Sequence, residues 1–157
     1  MKRFIFLLTI MLSPVVSFAD EVVKHDKSDV VYGDDDKFDI LMESYSSQPG
    51  CTTINISNGM LEAMDASIGA DYMKVISVEN GELIPVFKGQ VKELVSVYEV
   101  IMSVNNGGES VEIYKRSSAD GSITDLYIST SNADSCVLIY IKGEDIALSN
   151  IGGLINM

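Results

Sequence analysis

Histidine is nearly absent from this chain and tryptophan is missing altogether. The single histidine, His25, lies in an acidic N-terminal stretch ahead of the first segment with core-forming periodicity. A Ser-His-Asp or Cys-His centre in the folded part is thereby excluded, as are zinc sites that need two or more imidazoles. Without Trp, the usual stacking platform for sugars is lacking as well. Basic residues are also scarce, with 11 Lys and Arg against 23 Asp and Glu, for a formal net charge of −12. An anionic surface repels phosphate backbones and anionic headgroups, so neither nucleic acid nor a membrane surface is an expected partner. The sequence contains no G-x-S-x-G, H-E-x-x-H, P-loop or G-x-G-x-x-G pattern. The commonest hydrolase and nucleotide-binding readings fall with them.

What is present begins with an address. Lys2 and Arg3 precede an apolar run from Phe4 to Leu12, Pro14 breaks it, and Ser17-Phe18-Ala19 sets small residues before a cut. This is the layout of a secretory signal peptide spanning residues 1–19. Its apolar run is shorter than the roughly 20 residues that a bilayer span needs. The chain is therefore expected to be exported, to the periplasm or beyond, and to begin near Asp20, with no stable membrane insertion after cleavage. Loss of Lys2 and Arg3, one unit each, moves the formal charge from −12 to −14. Position 20 is Asp, so an N-terminal lipid-anchored Cys is not expected. Residues 20–37, with Gly33 and the Asp34-Asp35-Asp36 run, read as an acidic flexible linker. Residues 38–157 read as one domain.

Periodicity organises that domain. Phe38, Leu41, Met42 and Tyr45 share one helical face, and Gln48-Pro49-Gly50 ends the helix. Thr52–Ser57 alternates as a strand. Met60, Leu61, Met64 and Ile68 form a second helical stripe closed by Gly69, and Tyr72–Val78 a second strand. Pro85 opens a third helix whose stripe is Phe87, Val91, Leu94 and Val95. Then the pattern changes to hairpins. Strands are expected over Tyr98–Asn105, Glu109–Ser117, Ile123–Thr130 and Cys136–Lys142, with turns at Asn106-Gly107-Gly108 and Asp120-Gly121. The fold class is α+β: a largely antiparallel sheet of about five to six strands with three helices packed on one face.

Candidate sites are few. Cys51 and Cys136 each head a strand, and can either pair, if those strands are neighbours, or remain as two buried thiols. Tyr114, Tyr127 and Tyr140 are out of phase with the aliphatic residues of their own strands. They are expected together on the helix-free face, as a surface for a ligand or partner. Tyr98 shares the parity of Val100 and is expected apart from them. Glu62 and Asp65 lie on one helical face, as an acid pair would, but read better as solvated. The Ala119–Asp125 segment lacks the order of a calcium loop and reads as a turn. Met42, Met60, Met64 and Met73 read as core filling rather than a copper site. Asn55-Ile56-Ser57 is a glycosylation sequon inside a strand. No metal and no cofactor is expected.

Four runs carry a family likeness: Phe38–Tyr45 leading into Cys51–Ser57, then Gly59–Met64, and finally Ile139–Ile146. In this order they resemble the uncharacterised secreted proteins of Bacteroidetes grouped as domain-of-unknown-function family 4252. The resemblance spans about Phe38 to Leu154. It implies export and a single small α+β domain. Genes of such proteins often lie near envelope-stress sigma factor genes, which implies a regulatory or envelope-maintenance role. It transfers no catalytic residue. The expected function is a non-catalytic binding or interaction module of the cell envelope, its partner an unidentified protein or small ligand. The alternatives are a regulatory component of an envelope-stress pathway and a carboxylate-dependent enzyme without histidine.

Overall fold

A computed structural model describes residues 33–63 and 68–151, all within one compact unit. The leader, the linker up to residue 32, Met64, Asp65 and Leu154 lie outside the described residues. The helices are α1 (Asp34–Ser46), α2 (Asn58–Ala63) and α3 (Ile84–Leu94). The strands are β1 (Cys51–Ser57), β2 (Ala70–Val78), β3 (Glu99–Asn106), β4 (Glu109–Ser117), β5 (Ile123–Ser131) and β6 (Cys136–Gly143). They form one six-stranded antiparallel sheet in the order β1-β2-β6-β5-β4-β3. The α+β class and the order of elements agree with the sequence reading.

The helix ends follow from local chemistry. The aspartates assigned to the linker are instead the first turn of α1, which begins at Asp34. Gly33 is its cap, and the Asp36 carboxylate reaches back to accept the Gly33 N–H at 3.0 Å. Acids there also complement the positive end of the helix dipole. Pro85 occupies the first turn of α3, where a missing N–H costs nothing. The β3–β4 hairpin closes through Gly107 and Gly108, both at positive φ. Helix α3 carries the chain across one face of the sheet from β2 to the far edge, and β3 to β6 then fold back towards β2.

Both faces of the sheet are apolar, and this changes where the helices sit. Phe38, Leu41 and Tyr45 of α1 and Phe87 and Val91 of α3 cover one face with Ile76, Val78, Leu138, Tyr127 and Tyr140. On the opposite face, Leu61 of α2 joins Met73, Leu126, Ile128 and Ile141, together with Ile146 and Ile151 beyond β6. Two helices thus share one face and the third lies on the other, instead of all three together. The tail after β6 is laid in closely. A Cβ on Gly143 would fall 2.0 Å from the Gly69 carbonyl oxygen, and one on Gly69 would fall 2.2 Å from that of Asp145.

Cys51 and Cys136 both stand in register with Val78, one on each side of it. Strand β2 therefore lies between them. Two strand spacings separate their backbones by about 9–10 Å, beyond the roughly 7 Å that a disulfide can bridge. Of the two alternatives, free thiols are what the structure has: Cys51 and Cys136 are not bonded to each other. Burial raises the pKa of each and keeps it protonated. Denatured without reductant, the chain should expose both thiols to a thiol-titrating reagent, and the folded chain should react slowly. A denatured chain with no titratable thiol would contradict this arrangement.

Candidate functional site

The register places Tyr140, Tyr127 and Tyr114 side by side across β6, β5 and β4, so parity did group them correctly. The face was inverted. Tyr127 and Tyr140 are fully buried beneath α1, and only Tyr114 lies half-buried at the rim. Tyr127 and Tyr140 stack at 4.6 Å and 13°, and Phe38 of α1 packs on both. Tyr98 joins them edge-on to Tyr127 at 4.8 Å, contrary to its expected separation. The row is core and does not form an open binding surface.

At the end of this row, polar groups converge. The Tyr140 hydroxyl donates to Asp125 Oδ1 at 2.7 Å and lies in hydrogen-bond contact with Asp35 Oδ1. A phenol has one proton, so it cannot satisfy both carboxylates at once. Lys142 makes up the difference, with Nζ 3.1 Å from Asp35 Oδ2 and 3.6 Å from Asp125 Oδ1. Thr124 Oγ1 donates to Asp125 Oδ2 at 2.8 Å. One strand over, Lys74 Nζ donates to Asp39 Oδ1 at 2.6 Å and sits 4.7 Å from the Tyr72 ring centre. The network joins α1 to β2, β5 and β6.

Burial and polar partners together set the titration of these groups. Burial alone would raise the Asp35 pKa, but bonds from Tyr140, Tyr72 and Lys142 outweigh it and hold the carboxyl below its usual range. Burial would lower Lys142, but Asp35 and Asp125 overcome this and raise it. Tyr140 is pushed far up by burial and by its two carboxylates, and Tyr72 is raised by burial and Asp35. Tyr114 is pushed up to about 12 by desolvation and its bond to Glu112. Asp125 is 2% exposed, so the centre of the network is closed to a substrate.

An open surface lies above it. Between α1 and α3 runs a groove of about 530 Å³. Lys37, Ile40, Leu41 and Ser44 line it from α1, and Gln90, Glu93 and Leu94 from α3, with Ser96 and Val97 beyond. Tyr45 Oη donates to Gln90 Oε1 at 2.6 Å and ties the two helices together. Ile40 is 56% exposed and Val97 71%. A smaller cavity of about 350 Å³ is lined by Glu62, Asp71, Glu144 and Asp145 with no basic side chain.

The sequence profile of DUF4252, a domain of unknown function, matches residues 45–154. The chain belongs to this family. No curated protein and no solved structure matches it. In this DUF4252 chain, Asp125, Tyr140 and Lys142 fall inside the matched span, whereas Asp35 precedes it. The methionines do not converge: Met42 packs with one sheet face, Met73 with the other, and Met60 is exposed. Among the described residues, no cluster of His, Cys, Asp and Glu could hold a metal ion. Nor is any described helix long and apolar enough to cross a membrane. The sequence reading missed Asp125 and Lys142. Their signal was parity, since both share the face of the tyrosines and pair across β5 and β6.

Tyr140→Phe should lower stability by about 1–3 kcal/mol in urea denaturation, because it leaves two carboxylates facing an apolar ring edge. Unchanged stability would remove the network from any structural role. The pH dependence has two limbs. Asp35 is depressed, so its contribution is complete above its usual value of 3.8 and is lost as pH falls through the folded value. Tyr140 is raised, so its contribution is present below its usual value of 10.0 and is lost as pH rises beyond it. Urea midpoints should therefore fall on both flanks, with Asp35→Asn flattening the acid limb and Tyr140→Phe the alkaline one.

Proposed function

We propose that this chain is an exported, non-catalytic interaction module of the cell envelope, and that its binding surface is the groove between α1 and α3. One observation carries this reading. Ile40 and Val97 stay more than half exposed on a groove whose rim offers one base, Lys37, one acid, Glu93, and the neutral Ser44, Gln90 and Ser96. Exposed apolar groups within a polar rim mark sites where a partner removes water. The mixed rim suits a protein segment that presents an apolar side chain between polar neighbours. The volume lies within the roughly 300–1,000 Å³ of ligand clefts. Enclosure of Tyr140 and Asp125 opposes the carboxylate-enzyme alternative, since acid–base chemistry needs access to substrate. The leader-like N-terminus supports export.

A photo-crosslinking residue placed at Val97 in cells should yield one discrete adduct, which Ile40→Asp should abolish. The same probe at Val86, which is exposed on α3 but lies outside the groove, should yield none. Equal labelling from Val86, or no adduct from Val97, would rule the groove out.

A further inference from the structure

Strands β1 and β3 are the two edges of the sheet, and they are guarded differently. Edges are ordinarily protected from pairing by charge, proline or a bulge. Strand β3 has a bulge between Val100 and Met102, and Glu99 at its start pairs with Lys115 at 3.4 Å. Strand β1, Cys-Thr-Thr-Ile-Asn-Ile-Ser, has none of these protections. Its register with β2 runs unbroken from Cys51 to Ser57. Thr52, Ile54, Asn55 and Ser57 are exposed, Ile54 at 45%.

We propose that β1 pairs antiparallel with β1 of a second copy of this chain, joining two sheets into one. The charge distribution favours a copy of itself on this strip. A chain of net charge −12 repels its own kind over most of its surface, and β1 itself carries no charged side chain. The register follows from the backbone. The Glu79 N–H donates to the Gly50 carbonyl at 2.8 Å, which makes these two a bonded pair across β1 and β2. Alternation then turns Thr52, Ile54 and Ile56 towards β2 and leaves the N–H and C=O groups of Thr53 and Asn55 pointing outward. A two-fold axis at Ile54 overlaps the whole strand with its copy. Thr53 and Asn55 of one chain exchange bonds with Asn55 and Thr53 of the other. Ile54 meets Ile54 in a non-bonded pair, with Cα atoms about 4.5 Å apart. The apolar row Ile54, Val75, Ile139 and Ile128 then runs on from one copy into the next.

The test is sedimentation of protein expressed from the full-length gene. A dimer that dissociates on dilution is expected. Ile54→Lys should weaken it roughly a hundredfold or more, since two ammonium groups would face each other. Circular dichroism should show that the variant keeps its strands. Ile54→Cys should form a covalent dimer on mild oxidation, because the paired spacing lies within disulfide range. The wild-type chain should not, as Cys51 would oppose Ser57 of the copy. Met102→Cys at the other edge should not either. A monomer at every concentration, or a dimer indifferent to Ile54→Lys and not captured through position 54, would overturn the proposal.

Discussion

A buried hydroxyl held between carboxylates from two elements decides how this domain closes. Tyr140 on β6 reaches Asp35 on α1 and Asp125 on β5, and Lys142 offsets part of their charge. Breaking one contact strands another, because a buried polar group without a partner costs about 1–3 kcal/mol. The placement of α1 depends on this anchor, and Phe38 rides with it over the tyrosine stack. The wall of the groove is fixed in turn, since α1 supplies Ile40 and Leu41. A polar network centred on buried Tyr140 and Asp125 thus positions an open apolar surface on the outer side of α1.

The second constraint is a sheet that needs cover on both faces. Helices α1 and α3 supply one layer. The other is assembled from the short α2, Ile68 and the tail carrying Ile146 and Ile151. The tail is bonded into place by Ile146 N–H to the Ile123 carbonyl and Ala147 N–H to the Ile68 carbonyl. Gly69 and Gly143 let these backbones approach where a side chain would collide.

Much of this was legible in the sequence, because local signals govern strands, turns and helix ends. The hairpin glycines, the Pro85 start and the stripe Phe87, Val91 and Val95 stand where periodicity put them. The face of the tyrosines was not legible. In β5 both alternating sets are buried, Tyr127 as fully as Leu126 and Ile128, so polarity contrast cannot tell inside from outside. Tyr98 shows a second limit. It does share parity with Val100, but the bulge before Met102 puts Val100 opposite Tyr114 and resets the rest of β3 to the other face. Asp35 reads locally as part of an acidic linker run. Its partner Tyr140 lies 105 residues away, beyond the reach of any local pattern.

The composition that removed so many functions also leaves the molecule with a simple optical spectrum. With seven tyrosines and no tryptophan, its near-ultraviolet absorption above the phenylalanine bands is almost wholly phenolic. Two of those phenols are held face to face at 4.6 Å in fixed, chiral surroundings beneath Phe38. Near-ultraviolet circular dichroism therefore reports on whether α1 is seated, while the far-ultraviolet signal follows the strands. The tyrosine row that looked like a docking surface is an internal gauge of the helix that shapes the groove.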